Sequence, residues 1–321
     1  MKVLQKIAIL FAATMLILFV LDKVYTFFLL QNKNIKSSYI QSDKINADLL
    51  IAGPCEPFWM INPEQLDEIT KINSYNIALS HSNFADNLLH LHLYLKNNKK
   101  PAHILLYVTP ESMDERYNTF NTYRFAHLLS DPLVNDIVAE FDPDYHKWSS
   151  LPFMPYAYYS NLINFKTIQG FKHFVTDKKS PKFANGYQPP IKQDWHFRMR
   201  NFIDLYPDKV EFKWSNRREK YFRKFIEYAN SKGIAVLLYE SPVFEPAKAH
   251  QVNRYETLDQ IQKIADEYAV PFLLFDDLEM ARDKSNFFST LNTTEKGSII
   301  FTDSLGHRLN AGYLSEKIET P

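Results

Sequence analysis

Short apolar runs alternate with longer amphipathic ones over residues 47–113, and the same rhythm returns from residue 214. Runs at 48–52, 75–79, 104–108, 234–239 and 271–275 are the length of buried strands and are bounded by turn residues. Between them the spacing predicts helices. One covers 63–71, with Asn62 as N-cap and Pro63 at the first helical position. Another covers 84–96 and carries Leu88, Leu89, Leu91, Leu93 and Leu95. A third covers 216–232, with Glu219 three residues after Asn216 as in a capping box and Gly233 at the stop. A fourth covers 255–268. Strands alternating with helices predict an α/β domain: a central parallel sheet with helices on both faces. Sites in such sheets lie beyond the carboxyl ends of the strands. Cys55, Glu240-Ser241 and Asp276-Asp277 follow strands at that end.

A different pattern opens the chain. Residues 7–21 are uncharged and strongly apolar, Asp22-Lys23 interrupts, and 24–30 are apolar again. Fifteen helical residues reach about 22 Å and twenty-four about 36 Å, against a hydrocarbon core of about 30 Å. Lys23 can snorkel toward headgroups, with Asp22 as its partner. No small-x-small cleavage site follows, so an uncleaved signal-anchor is expected, a single-pass transmembrane helix over 1–31. Lys2 and Lys6 precede the span and Lys33, Lys36 and Lys44 follow it, so the count of basic residues alone does not orient it. A short basic leader before an early span favours the N-terminus inside and the folded domain exported. The other reading is a buried N-terminal helix of a soluble protein.

Residues 32–46 are polar and read as a juxtamembrane linker. Residues 114–213 break the strand–helix rhythm with Pro132, Pro143, Pro152, Pro155, Pro181, Pro189, Pro190 and Pro207 among many aromatics. They read as a cap inserted into a domain made of 47–113 and 214–321. Its aromatics could meet a sugar or a membrane, or simply pack the lobe.

Charge and composition narrow the chemistry. Lys plus Arg and Asp plus Glu both number 37, so no nucleic-acid partner is implied. One cysteine excludes an intramolecular disulfide and a resolving thiol. There is no glycine-rich phosphate loop and no Cys/His zinc spacing, so no metal or organic cofactor is suggested.

Candidate chemistry sits at two places. The run at 48–52 ends in Gly53-Pro54-Cys55, which presents a small nucleophilic side chain on a strand-end turn. Near the C-terminus, Phe301-Thr302-Asp303 precedes His307-Arg308-Leu309-Asn310-Ala311-Gly312. In a nucleophile–base–acid arrangement Cys55 would attack, His307 would take its proton and Asp303 would orient His307, with Ser304 as the fallback orienter. Asn76, Ala78 and His81, after the second strand, would lie near the site with Gly53. The plainer readings are a small buried thiol at 55 and an exposed histidine at 307.

These segments resemble the SGNH (GDSL-like) hydrolase superfamily. Within it they are similar to the membrane-anchored bacterial branch that includes the D-alanine transfer protein of lipoteichoic acid and the alginate O-acetylation proteins. Ala47 to Glu56 corresponds to that branch's "ADILIIGSSR", with Cys55 at the serine position. Tyr75 to His81 corresponds to "YNLGVSG", and Phe301 to Gly312 to "F.D..HLN..G". Three departures stand out. Serine is replaced by cysteine, Asp303 and His307 are four rather than three apart, and Ala78 and His81 replace glycines of the oxyanion hole. The resemblance implies a three-layer αβα, flavodoxin-like fold. It also implies an acyl esterase or O-acyltransferase acting on a cell-surface polysaccharide or envelope polymer, working with a membrane-bound acyltransferase. A degenerate member that binds polysaccharide or scaffolds an envelope complex is the alternative.

Overall fold

The computed structural model describes residues 3–41, 45–117, 120–176, 184–190 and 209–314. Lys2, Lys44, Pro181 and Pro207 of the sequence reading lie outside them. The chain divides into two compact units: Met1–Ser42 with Phe120–Lys182, and Asp43–Thr119 with Phe183–Pro321.

The second unit is built on a five-stranded, all-parallel sheet in the order β2-β1-β3-β4-β5. Its strands are β1 (Leu49–Ala52), β2 (Ser74–Asn76), β3 (His103–Tyr107), β4 (Ala235–Glu240) and β5 (Phe272–Leu274). Leu50 pairs with Tyr75 on one side and Ile104 on the other, and Leu106 pairs with Leu238. This is the doubly wound, flavodoxin-like order, whose switch point falls between β1 and β3.

The two faces follow from the period of two along each strand. Leu49, Ile51, Leu105, Tyr107, Leu237 and Tyr239 share one core with Met60, Leu66, Phe301, Leu305 and Leu309. Those last five come from α2 (Cys55–Met60), α3 (Pro63–Thr70) and α8 (Glu295–Gly312). The alternate residues Leu50, Ile104, Leu106, Val236 and Leu238 are also buried. Beyond that layer α4 (Phe84–Leu95) and α6 (Asn216–Ser231) pack on each other, with Phe84 and Phe222 rings 5.0 Å apart. Helix α7 (Arg254–Glu267) buries Leu258, Ile261, Ile264 and Ala265.

All five expected strands and all four expected helices are present, with ends displaced by a few residues at most. The cap of α6 is Ser215, whose side chain accepts from the Arg218 N–H, rather than Asn216. At the C-terminus, Asp303 to Gly312, to which the sequence pattern assigned no element, falls inside α8. Its two internal glycines are there for packing. A Cβ at Gly306 would come 2.9 Å from Ile69 Cγ2, and one at Gly297 would come 2.1 Å from the Asn286 carbonyl oxygen.

In the first unit α1 (Val3–Gln31) runs unbroken through Asp22-Lys23. It is apolar and long enough to be compatible with a single membrane span. The unit also holds α5 (Ser160–Val175) and short helices at Pro132–Phe141, Pro143–Ser149 and Met154–Tyr158. The polar stretch after α1 is partly folded into this unit. Ile35 and Ile40 are buried there, and Ser38 Oγ lies 2.8 Å from His127 Nε2. The polar sequence pattern of 32–46 concealed these two apolar anchors.

Candidate functional site

The carboxyl end of β1 turns sharply at Gly53, whose φ is +148°. Only glycine fits here: a Cβ would sit 2.6 Å from Pro57 Cγ and 2.7 Å from Tyr107 Cβ. The turn is tied down on both sides. Gly53 N–H donates to Asn87 Oδ1 at 2.8 Å, and its carbonyl accepts from Leu79 N–H at 3.0 Å and Ser82 Oγ at 3.1 Å.

Cys55 follows as the first residue of α2. Its sulfur accepts the His81 backbone N–H at 3.2 Å and lies 3.2 Å from Ser80 Oγ. His81 adopts φ +55°, in the left-handed region that costs a non-glycine residue roughly 1–3 kcal/mol. That conformation aims its N–H at the sulfur. Asn76, fully buried, holds the turns together. Its Nδ2 donates to the Pro57 carbonyl at 2.7 Å and its Oδ1 accepts from Ala78 N–H at 3.0 Å. Ala78 N–H also reaches the Ile51 carbonyl at 3.1 Å.

Cys55 lines a cleft together with Glu56, His81, Asn87, Tyr107, Glu111 and Arg218. Glu56 and Glu111 were not singled out in the sequence. Both follow strands: Glu56 closes the turn after β1, and Glu111 lies in Pro110–Met113 after β3. That shared strand-end position was the available signal. Burial pushes the Glu56 carboxyl up to about 7, and the charge of Glu111 adds to the shift. Burial also raises Glu111, against the pull of Arg254. Glu111 Oε1 accepts from Gln251 Nε2 at 2.7 Å. Arg218 is buried and donates from Nη1 to the Ser112 carbonyl at 2.6 Å, a position with no advance signal in an amphipathic helix.

Below the cleft lies a buried ion cluster. Arg254, 1% exposed, donates to Glu240 at 2.7 and 3.1 Å and to Asp276 at 3.1 Å. Burial lifts Glu240 above the usual carboxylate range while Arg254 opposes the shift. The cluster explains the acidic residues seen after β4 and β5: they hold α7 to the sheet.

Asp303, Ser304 and His307 are not among the residues that line the cleft. Asp303 and His307 are more than half exposed on α8, one helical turn apart, with Oδ1 and Nε2 separated by 3.6 Å. Ser304 Oγ donates to the Ile300 carbonyl of its own helix at 2.9 Å. The structure therefore brings together Gly53, Cys55 and His81, and places Asp303, Ser304 and His307 on α8, outside the lining of the cleft. The segment that enters α8 is Ser289–Thr294, and its Leu291 lines the cleft. In this segment Asn292 Nδ2 donates to Ser289 Oγ at 2.9 Å.

No protein-family model matches the chain, and no curated protein matches it. Among solved structures, it is similar to a lipolytic protein of the G-D-S-L family from Desulfitobacterium hafniense, at 9% identity and a TM-score of 0.38. That match covers 81% of this chain and 98% of the other. It is also similar to a GDSL-like lipase from Bacteroides thetaiotaomicron, at 10% identity and a TM-score of 0.36, covering 87% and 98%. At these scores neither likeness adds to what strand order and cleft geometry establish.

Proposed function

We propose that the cleft handles an acyl ester of a cell-surface polysaccharide or related envelope polymer, with Cys55 as nucleophile. A cleft carboxylate would serve as base in place of the Asp303–His307 pair. The supporting observation is that Cys55 shares its cleft with Glu56, a carboxyl pushed up to about 7. The magnitude matters. Moving a proton from a free thiol of about 8.5 to a base of about 7 costs about 2 kcal/mol, against about 6 kcal/mol for an ordinary glutamate.

In the first step the thiol proton passes to the Glu56 carboxylate as the sulfur bonds to the ester carbonyl carbon. The carbon–oxygen bond then breaks, and the proton leaves with the alcohol. Water, or a sugar hydroxyl, next attacks the thioester carbonyl and gives its proton to the carboxylate. The carbon–sulfur bond then breaks, the carboxyl returns the proton to the thiolate, and the acyl acid or a new ester is released. Arg218 supplies positive charge to the cleft wall. A membrane-bound acyltransferase as donor partner and an exported orientation belong to the same reading.

A second reading is a catalytically degenerate protein that binds polysaccharide or scaffolds an envelope complex. It is favoured by Asp303 and His307 not being among the residues that line the cleft. Because Cys55 is the only cysteine, alkylation of the intact protein separates the two. Acyl transfer requires a rate that rises through about pH 7 and loses that inflection in Glu56→Gln. A thiol that reacts only near pH 8.5, indifferent to Glu56→Gln, would sink it in favour of the binding reading.

A further inference from the structure

Within the first unit, α1 changes character at Asp22. Before it, large apolar side chains from Val3 to Leu21 are exposed, a stretch of about 28 Å of helix. From Asp22 onward the helix has partners. Asp22 Oδ2 accepts the Phe153 N–H at 3.1 Å, Tyr25 OH donates to Asn164 Oδ1 at 2.9 Å, and Thr26 Oγ1 lies 2.5 Å from Tyr156 OH.

The contacts with α5 show how the two helices cross. Lys166 and His173, seven residues apart on α5, both meet the end of α1. The Lys166 carbonyl accepts from Asn32 Nδ2 at 2.7 Å, and His173 Nδ1 accepts from Lys33 N–H at 3.2 Å. Asn164 and Phe174, ten residues apart, both meet an earlier level of α1, at Tyr25 and Phe27. Moving some 10–15 Å along α5 leaves the level on α1 almost unchanged, so α5 lies across α1, not along it. Gly170 marks the crossing: a Cβ there would sit 1.8 Å from the Phe28 carbonyl oxygen.

The crossing fixes which edge of α5 faces which end of α1. The Lys166–His173 edge faces the end that leads into the rest of the protein. The opposite edge, with Phe171 and Phe174 packed edge-on against Phe27 and Phe28, faces the free apolar stretch. On and beside that edge Ile168, Phe171, Phe174 and Val175 are each more than half exposed. At sixteen residues, about 24 Å, α5 is too short to span a bilayer, and Asn161, Gln169 and Lys172 interrupt its apolar face. The exposed edge is continuous with the lipid-facing surface of α1, so one occupant, lipid, covers both.

We propose that α5 lies flat in the interface of the bilayer that α1 crosses, its Ile168–Phe171–Phe174–Val175 edge immersed at the headgroup–acyl boundary and Lys172 reaching to the phosphates. The anchor is then a crossed pair of helices, one through the membrane and one in its plane. This is independent of the chemistry proposed for the cleft.

The test uses the full-length protein in nanodiscs of phosphatidylethanolamine and phosphatidylglycerol. Cys55→Ser is combined in turn with Ile168→Cys, Phe171→Cys, Val175→Cys and Gln169→Cys, each spin-labelled. Collision with oxygen and with a water-soluble nickel chelate is then compared. Labels at 168, 171 and 175 are expected to favour oxygen several-fold more than the label at 169, at nearly equal depths of about 5–10 Å below the phosphates. Nickel-dominated collisions at 168, 171 and 175 would place the edge in water and overturn the proposal. Low collision with both reagents, meaning protein or a second copy covers it, would overturn it too. So would a depth that climbs by about 1.5 Å per residue, the signature of a helix inserted on end.

Discussion

Phe222, Phe225, Phe275 and Phe301 are fully buried in the sheet unit, whereas Phe165, Phe171 and Phe174 of the anchor unit are more than half exposed. The residue type is the same and the helices are of similar length, so hydrophobicity does not separate the two regions. What separates them is whether the apolar side chains can satisfy one another. In the sheet unit each face has a covering layer of helices, and the chain supplies its own non-aqueous solvent. In the anchor unit the apolar edge of α5 has no covering layer among the described residues.

Core truncation gives the largest expected contrast. Phe225→Ala should cost the sheet unit roughly 3–5 kcal/mol, read as a lowered unfolding midpoint of the detergent-solubilised protein, while Phe171→Ala should stay within about 0.5 kcal/mol. Equal losses would dissolve the contrast. Gly170→Leu comes next, at about 1–3 kcal/mol, because a side chain there must push α5 off α1. It should expose α5 to protease while the sheet unit keeps its midpoint, and simultaneous unfolding of both would count against two separable units.

A pH effect follows. Glu56 holds its proton more tightly in the folded state than its ordinary value of 4.5 allows, so its contribution is full below about 4.5 and lost as pH rises to about 7. Unfolding midpoints measured across that window should fall with rising pH, and Glu56→Gln should flatten the decline. An unchanged slope would mean that Glu56 is not the group responsible. The smallest effect belongs to His307→Ala. An exposed pair one turn apart on a helix contributes little, so the midpoint should move by no more than about 0.5 kcal/mol and the alkylation profile of Cys55 should not move. A changed profile would reconnect His307 to the cleft.

The sheet was legible because its strands are unbroken apolar runs closed by turn residues, and because β1 ends at a glycine that the local sterics demand. Cys55 was legible for the same reason. Glu56 and Glu111 were not, since a carboxyl raised by burial looks like any other in the sequence. Asp303 and His307 drew attention through the resemblance of Phe301 to Gly312 to a family motif, despite a spacing of four, which is also that of an ordinary surface pair on a helix. Helix α8 itself was hidden by Gly297 and Gly306, which weaken a helical reading yet are required where Asn286 and Ile69 approach.

The order of the strands sets a timetable for synthesis. β3 lies at the middle of the sheet, but its neighbour β4 begins only at Ala235, after the whole insertion has been made. At ribosomal speeds of about 5–20 residues per second, one hydrogen-bonding edge of β3 stands open for on the order of ten seconds. An apolar strand with an unpaired edge is a template for association with other chains. This protein should therefore engage holdase chaperones while nascent, and dependence on them should ease in any variant that shortens the insertion.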